Sequence, residues 1–144
     1  GIDVKTVLYD LDISTMAVKV PTTLMHLHAI TVDMIDKKTD LDDIVRALDK
    51  ARRIILINGS DGLTSTAEIM EYARDLGRRR GDLFEIAVWK DGMNIRDGVL
   101  YYYQAIHQES DVVPENIDAI RAIMGMEDAE KSMDLTDKSL GIMK

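Results

Sequence analysis

Between Phe84 and His107 the chain carries two Asp-Gly dipeptides, Asp91-Gly92 and Asp97-Gly98, embedded in β-patterned sequence. Asp-Gly suits the type I′ turn, in which both central residues take positive φ and match the right-handed twist of paired strands. The spacing therefore predicts strands over about 84–90, 93–96 and 99–107, tied as three antiparallel neighbours. Within the last of these, Tyr101 and Tyr103 share one face and Tyr102 the other, as sheet packing favours.

The rest of the pattern alternates strand and helix. Over 6–20, Val7, Tyr9, Leu11 and Ile13 fall on one strand face, with a phase slip near Ser14 and Thr15 that a bulge would produce. Pro21 interrupts this strand. A second strand runs over about 24–34, with His26, His28, Ile30, Val32 and Met34 on one face. Asp40 is placed to cap a helix whose Leu41, Ile44, Val45 and Leu48 recur at helical spacing. The wholly apolar run 54–57 reads as a strand buried on both faces. Ser65 and Glu68 form a capping-box pair ahead of a helix over about 66–76, and Gly77 stops it. Pro114 opens a further helix with Ile117, Ile120, Ile123 and Met124 facing inward, stopped by Gly125. A polar tail follows, ending on an apolar cluster of Leu140, Ile142 and Met143. The order β-β-α-β-α-β-β-β-α indicates an α+β domain with helices packed on a mixed, largely antiparallel sheet.

At 144 residues, 46% of them hydrophobic, the chain suits one domain with a real core over 1–144. It begins with Gly1 rather than Met, which marks a processed product or a fragment. With no cysteine there is no disulfide framework, thiolate metal site or cysteine nucleophile in it, and a reducing cytoplasm is the default compartment. A formal net charge of −8 opposes binding to nucleic acid or to anionic membranes. No apolar run approaches the ~18 residues of a membrane span.

Three features could carry chemistry. His26 and His28 point the same way from a strand, about 7 Å apart along the backbone. That spacing serves a metal pair, a general base with a supporting neighbour, or an anion site, and it equally describes two hydrogen-bonded core histidines. Residues 108–111 form a polar stretch between a strand and a helix, where loops often line sites but where a plain turn feeding Pro114 is the commoner outcome. Arg78, Arg79 and Arg80 could hold a phosphate, although a solvated basic turn accounts for them more simply.

Several motifs in register go further. Val20-Pro21-Thr22-Thr23-Leu24-Met25-His26-Leu27-His28, Gly62-Leu63-Thr64-Ser65-Thr66-Ala67-Glu68-Ile69-Met70-Glu71-Tyr72-Ala73 and Asp82-Leu83-Phe84-Glu85-Ile86 lead the series. Val88-Trp89, His107-Gln108-Glu109-Ser110-Asp111 and Val113-Pro114-Glu115 continue it. Together they closely resemble the C-terminal portion of the catalytic domain of archaeal-type glyceraldehyde-3-phosphate dehydrogenases, over nearly the whole chain. The resemblance implies an α+β fold and a phosphorylating oxidation of glyceraldehyde 3-phosphate with inorganic phosphate and NAD or NADP. It also implies a cytoplasmic homotetramer and a chemistry that uses no metal.

By the same resemblance His26 is the general base, His28 a supporting neighbour, and Gln108 the residue that meets the nicotinamide end of the cofactor. Thr22 and Thr23 are substrate-side candidates, with Lys19 a weaker one. The cysteine nucleophile and the nucleotide-binding domain of the family lie outside this sequence, so the chain alone is expected to be inactive. A free-standing binding or oligomerisation module of the same fold is the alternative.

Overall fold

The computed structural model describes residues 2–20 and 25–142. Its elements are α1 (Ile2–Lys5), β1 (His26–Asp33), α2 (Leu41–Lys50), β2 (Ile54–Ile57), α3 (Thr66–Asp75), β3 (Ile86–Trp89), β4 (Asn94–Arg96), β5 (Val99–Ile106), α4 (Gln108–Ile123) and α5 (Ala129–Leu140). The sheet runs β1-β5-β3-β2, with β4 also on β5. β1, β3 and β4 are antiparallel to β5, while β2 and β3 are parallel, so the expected mixed α+β sheet is present.

The long β5 organises this arrangement. β1 lines one edge of it from His26↔Ile106 to Asp33↔Val99. On the other edge, β3 takes the end near Ala105 and β4 the end near Leu100. Asp97 and Gly98 take φ 54° and 74°, as the turn between β4 and β5 requires. Asp91-Gly92 makes no such hairpin: β3 and β4 both pair with β5 and not with one another, and neither residue takes positive φ. The strands on either side of Asp91-Gly92 thus lie end to end.

Register sorts the two faces. Ile55 and Ile57 stand beside Ala87 and Trp89, and Ala87 beside Ala105. With Ile69, Met70 and Ala73 of α3, and with Leu83, they form the buried core on one face. Trp89 Nε1 donates to the Leu63 carbonyl at 2.6 Å, so the indole is buried without losing its hydrogen bond. The opposite face carries Ile54, Ile86, Val88, Gln104, His28 and His26. Only alternate residues of β2 are fully buried: Ile55 and Ile57 are, Ile54 and Leu56 are half-buried.

Local signals account for most helix ends. Asp40 accepts from the Asp43 N–H at 2.8 Å and closes a capping box on α2. Ser65 accepts from the Glu68 N–H, but the Glu68 carboxylate reaches Thr64 N at 2.6 Å, one residue earlier than in the usual box.

Five other expectations are corrected. The segment 6–20 forms no strand: α1 and irregular chain stand there, with Val7, Tyr9, Met16 and Val18 exposed, because alternation without a partner edge makes no ladder. Its Pro21 break lies outside the described residues. Residues 108–111 are the first turn of α4, not a loop, and Pro114 is buried inside that helix.

Ile120, Ile123 and Met124 point to solvent, since α4 turns its polar side to α5. There Asp118 accepts from Ser132 Oγ and Thr136 Oγ1, both at 2.7 Å, and Arg121 donates to Ser132 O and Thr136 Oγ1. Arg53 anchors the same seam through Glu115 and Asp118, both at 2.6 Å, and Asp137 at 2.9 Å. Arg78 is not a solvated residue either: it is buried against Glu85, which is fully buried, and donates to the Gly141 carbonyl at 3.1 Å.

Candidate active site

The first residue of β1 and the first turn of α4 lie at the same end of the sheet. β1 opens with His26 opposite Ile106, the last residue of β5, so Gln108 follows two residues beyond His26's ladder partner. Cross-strand partners share a face, which sets His26, His28 and Gln104 on the side away from the α3 core.

His28 is held within the sheet: its Nδ1 lies 3.3 Å from Gln104 Nε2, and since an amide nitrogen only donates, Nδ1 is the acceptor. The His26 ring sits 6.2 Å from that of His28, tilted by 59°. Among the described residues the His26 ring makes no hydrogen bond and is exposed, free to take a proton from a group brought to it. No three of His, Asp and Glu among the described residues gather in a way that could hold a metal ion.

Gln108 is the first residue of α4 and is exposed. Its amide makes no hydrogen bond among the described residues, so one donor and one acceptor are both available to a carboxamide. Lys19 lies exposed in the irregular segment, and among the described residues no hydrogen bond or ion pair ties it to His26. Thr22 and Thr23 lie outside the described residues.

Two residues of the same turn escaped pattern reading. Ser110 is fully buried, with its Oγ 2.5 Å from His107 Nδ1 and 2.8 Å from Asp82 Oδ1. His107 and Ser110 stand three apart, a spacing that brings side chains together only once α4 is known to start at Gln108. Asp111, the next residue, has a buried Oδ1 with no hydrogen-bond partner. Burial pushes its carboxyl up, and so does Glu115; the Val112 N–H and the nearby His107 and His26 rings pull it back.

Known proteins similar to this chain identify its family. Residues 1–92 match the family described as glyceraldehyde 3-phosphate dehydrogenase, C-terminal domain. Glyceraldehyde-3-phosphate dehydrogenases of Methanopyrus kandleri and Methanobacterium bryantii are 57% and 58% identical to it, each over 99% of this chain. That of Methanothermus fervidus is 56% identical over all of it. The chain spans about two fifths of the length of these relatives, 41–42% in each case. It belongs to the glyceraldehyde-3-phosphate dehydrogenase C-terminal domain family and corresponds to the C-terminal portion of the archaeal enzymes.

Proposed function

We propose that this chain supplies the acid–base side of a phosphorylating glyceraldehyde-3-phosphate dehydrogenase site, with His26 as general base and Gln108 as a cofactor contact. The reaction is oxidation of glyceraldehyde 3-phosphate, with phosphate and NAD or NADP, to 1,3-bisphosphoglycerate. The observation that carries this reading is the register: His26 opposes Ile106, and Gln108 opens the helix that follows. An exposed imidazole with no hydrogen bond among the described residues is suited to take the proton of a thiol, hand it to the alkoxide formed on attack, and take it back from the hemithioacetal hydroxyl as hydride leaves. It can return that proton to the departing thiol.

A bound nicotinamide supplies the hydride acceptor. Gln108 fits its carboxamide because the exposed amide both donates and accepts. Thr22, Thr23 and Lys19 are the substrate-side groups. The chain has no cysteine, so the nucleophile and the nucleotide-binding half come from elsewhere in the complete enzyme, and residues 1–144 alone turn nothing over.

In the complete enzyme His26→Ala should lower kcat/KM for glyceraldehyde 3-phosphate about 10²–10⁴-fold. A near-normal rate overturns the assignment of the base, and activity of the isolated chain overturns the divided site.

One observation favours a second role in the same protein. The core face of the sheet continues past α3 onto β5 and β1, where Leu27, Tyr101 and Tyr103 are 57%, 43% and 51% exposed. Large apolar side chains grouped this way mark an interaction surface. We assign it to contact between copies of the chain, in keeping with a homotetramer.

A further inference from the structure

We propose that Asp111 is the positioning residue for His26: in the complete, working enzyme its Oδ1 takes a hydrogen bond from one imidazole nitrogen and leaves the other to act as base. The proposal rests on the reading of His26 given above.

The first support is an unmatched pair. Among the described residues Asp111 Oδ1 is buried without a hydrogen-bond partner, and leaving a buried acceptor unpaired is costly. The His26 ring makes no hydrogen bond among the described residues.

The second support is placement. The Asp111 N–H donates to His107 O at 3.0 Å, which fixes it one turn into the helix that leaves β5 beside His26. Asp111 borders a cavity lined also by Ile54 and Ile86, residues on the same sheet face as His26. His26 also lies close enough to act electrostatically on the Asp111 carboxyl.

Competing partners are already engaged. His107 gives Nδ1 to Ser110 and turns Nε2 to Glu109 at 3.5 Å. Also lining the cavity, Arg53 is divided among Glu115, Asp118 and Asp137, and Arg52 among Glu130, Asp134 and Asp137. His28 is bonded to Gln104. Among the described residues that leaves His26 and Gln108, and the Gln108 amide is assigned above to the nicotinamide.

The chemical consequence is orientation plus charge balance. When His26 takes the substrate proton on its free nitrogen, the carboxylate on the other side offsets the charge gained, as in other carboxylate–histidine pairs. Asp111 itself takes no proton.

The test uses the complete dehydrogenase. Asp111→Asn keeps the shape and removes the charge, so kcat should fall about ten- to a hundredfold, with little change in KM. The acid limb of the kcat/KM profile should move to lower pH, and Asp111→Glu should recover part of the rate. Combined with His26→Gln, Asp111→Asn should cost nothing further.

An unchanged rate and pH profile in Asp111→Asn, or full additivity in the double variant, overturns the proposal. Normal turnover in His26→Gln alone would instead overturn the base assignment beneath it. Should Asp111→Asn fold poorly, ¹⁵N spectra of His26 in the unsubstituted enzyme decide the matter. One dominant tautomer supports the pair, and near-equal tautomers overturn it.

Discussion

Ser110 Oγ lies 2.5 Å from His107 Nδ1, and the same hydroxyl donates to Asp82 Oδ1 at 2.8 Å. A hydroxyl has one proton, and an ionised carboxylate can only accept it. Ser110 must therefore accept from His107, which fixes Nδ1–H as that ring's donor. The relay ties the start of α4 to the loop ahead of β3, and with it the position of Gln108. Ser110→Ala leaves two groups short of a partner and should destabilise the fold by about 1–3 kcal/mol, read as a lower Tm. In the complete enzyme KM for NAD or NADP should rise more than kcat falls.

Arg78 and Glu85 present the sharper stability case. Glu85 is 0% exposed and Arg78 has 7% of its side chain exposed, with Oε1 and Oε2 each taking one guanidinium nitrogen. The Arg78 guanidinium also stands 5.4 Å over the Phe84 ring and donates to the carbonyl of Gly141, the cap of α5. Removing one partner strands the other charge, so Glu85→Ala should cost about 3–5 kcal/mol in chemical denaturation. Much of that loss should return in Arg78→Met combined with Glu85→Leu. A double variant no more stable than Glu85→Ala would mean that the link to Gly141 matters more than the ion pair.

The exposed sheet face gives a prediction about assembly. Leu27 and Tyr103 flank one another diagonally across β1 and β5, since Leu27 opposes Ala105 and Ala29 opposes Tyr103. Burying such side chains between two copies stabilises the contact by about 1.5–3 kcal/mol each. Leu27→Glu with Tyr103→Glu should shift the sedimenting species toward monomer. Unchanged sedimentation would place the subunit contact elsewhere.

Local chemistry made much of this molecule legible from residue order. Asp40, Ser65 and Asp97-Gly98 act through neighbours three or fewer residues away, and each does what its side chain dictates. Tertiary partnership was not legible. Val7 to Val20 alternates like a strand but meets no edge, and Asp91-Gly92 has turn chemistry but no strand pair to join.

Pro114 misled for a related reason. Proline is favoured in a first helical turn, yet here it sits seven residues into α4, which extends back to Gln108. Placing the start of α4 too late hid the relation of His107 to Ser110. The family motifs named His26 and Gln108, but only the β1–β5 register brings them to one end of the sheet.

Asp118 shows how far the polar seam between α4 and α5 ties folding to pH. Burial raises its carboxyl, but hydrogen bonds from Arg53, Thr136 and Ser132, aided by the Arg53 charge, more than reverse this and hold it at about 2, below its ordinary 3.8. A carboxylate whose folded pKa is depressed contributes stability that is fully present above the unfolded value and is lost as pH falls through the folded one. The contribution from Asp118 should therefore be intact above about pH 4 and vanish progressively toward pH 2. Asp118→Asn, which cannot carry the charge, should be less stable at pH 7 by about 1–3 kcal/mol. The two proteins should converge as the pH falls to 2 and below, where Asp118 progressively loses its charge to protonation. Urea melts at pH 7, 4 and 2 measure this directly, and a gap that stays constant down to pH 2 would assign the role of Asp118 to shape rather than charge.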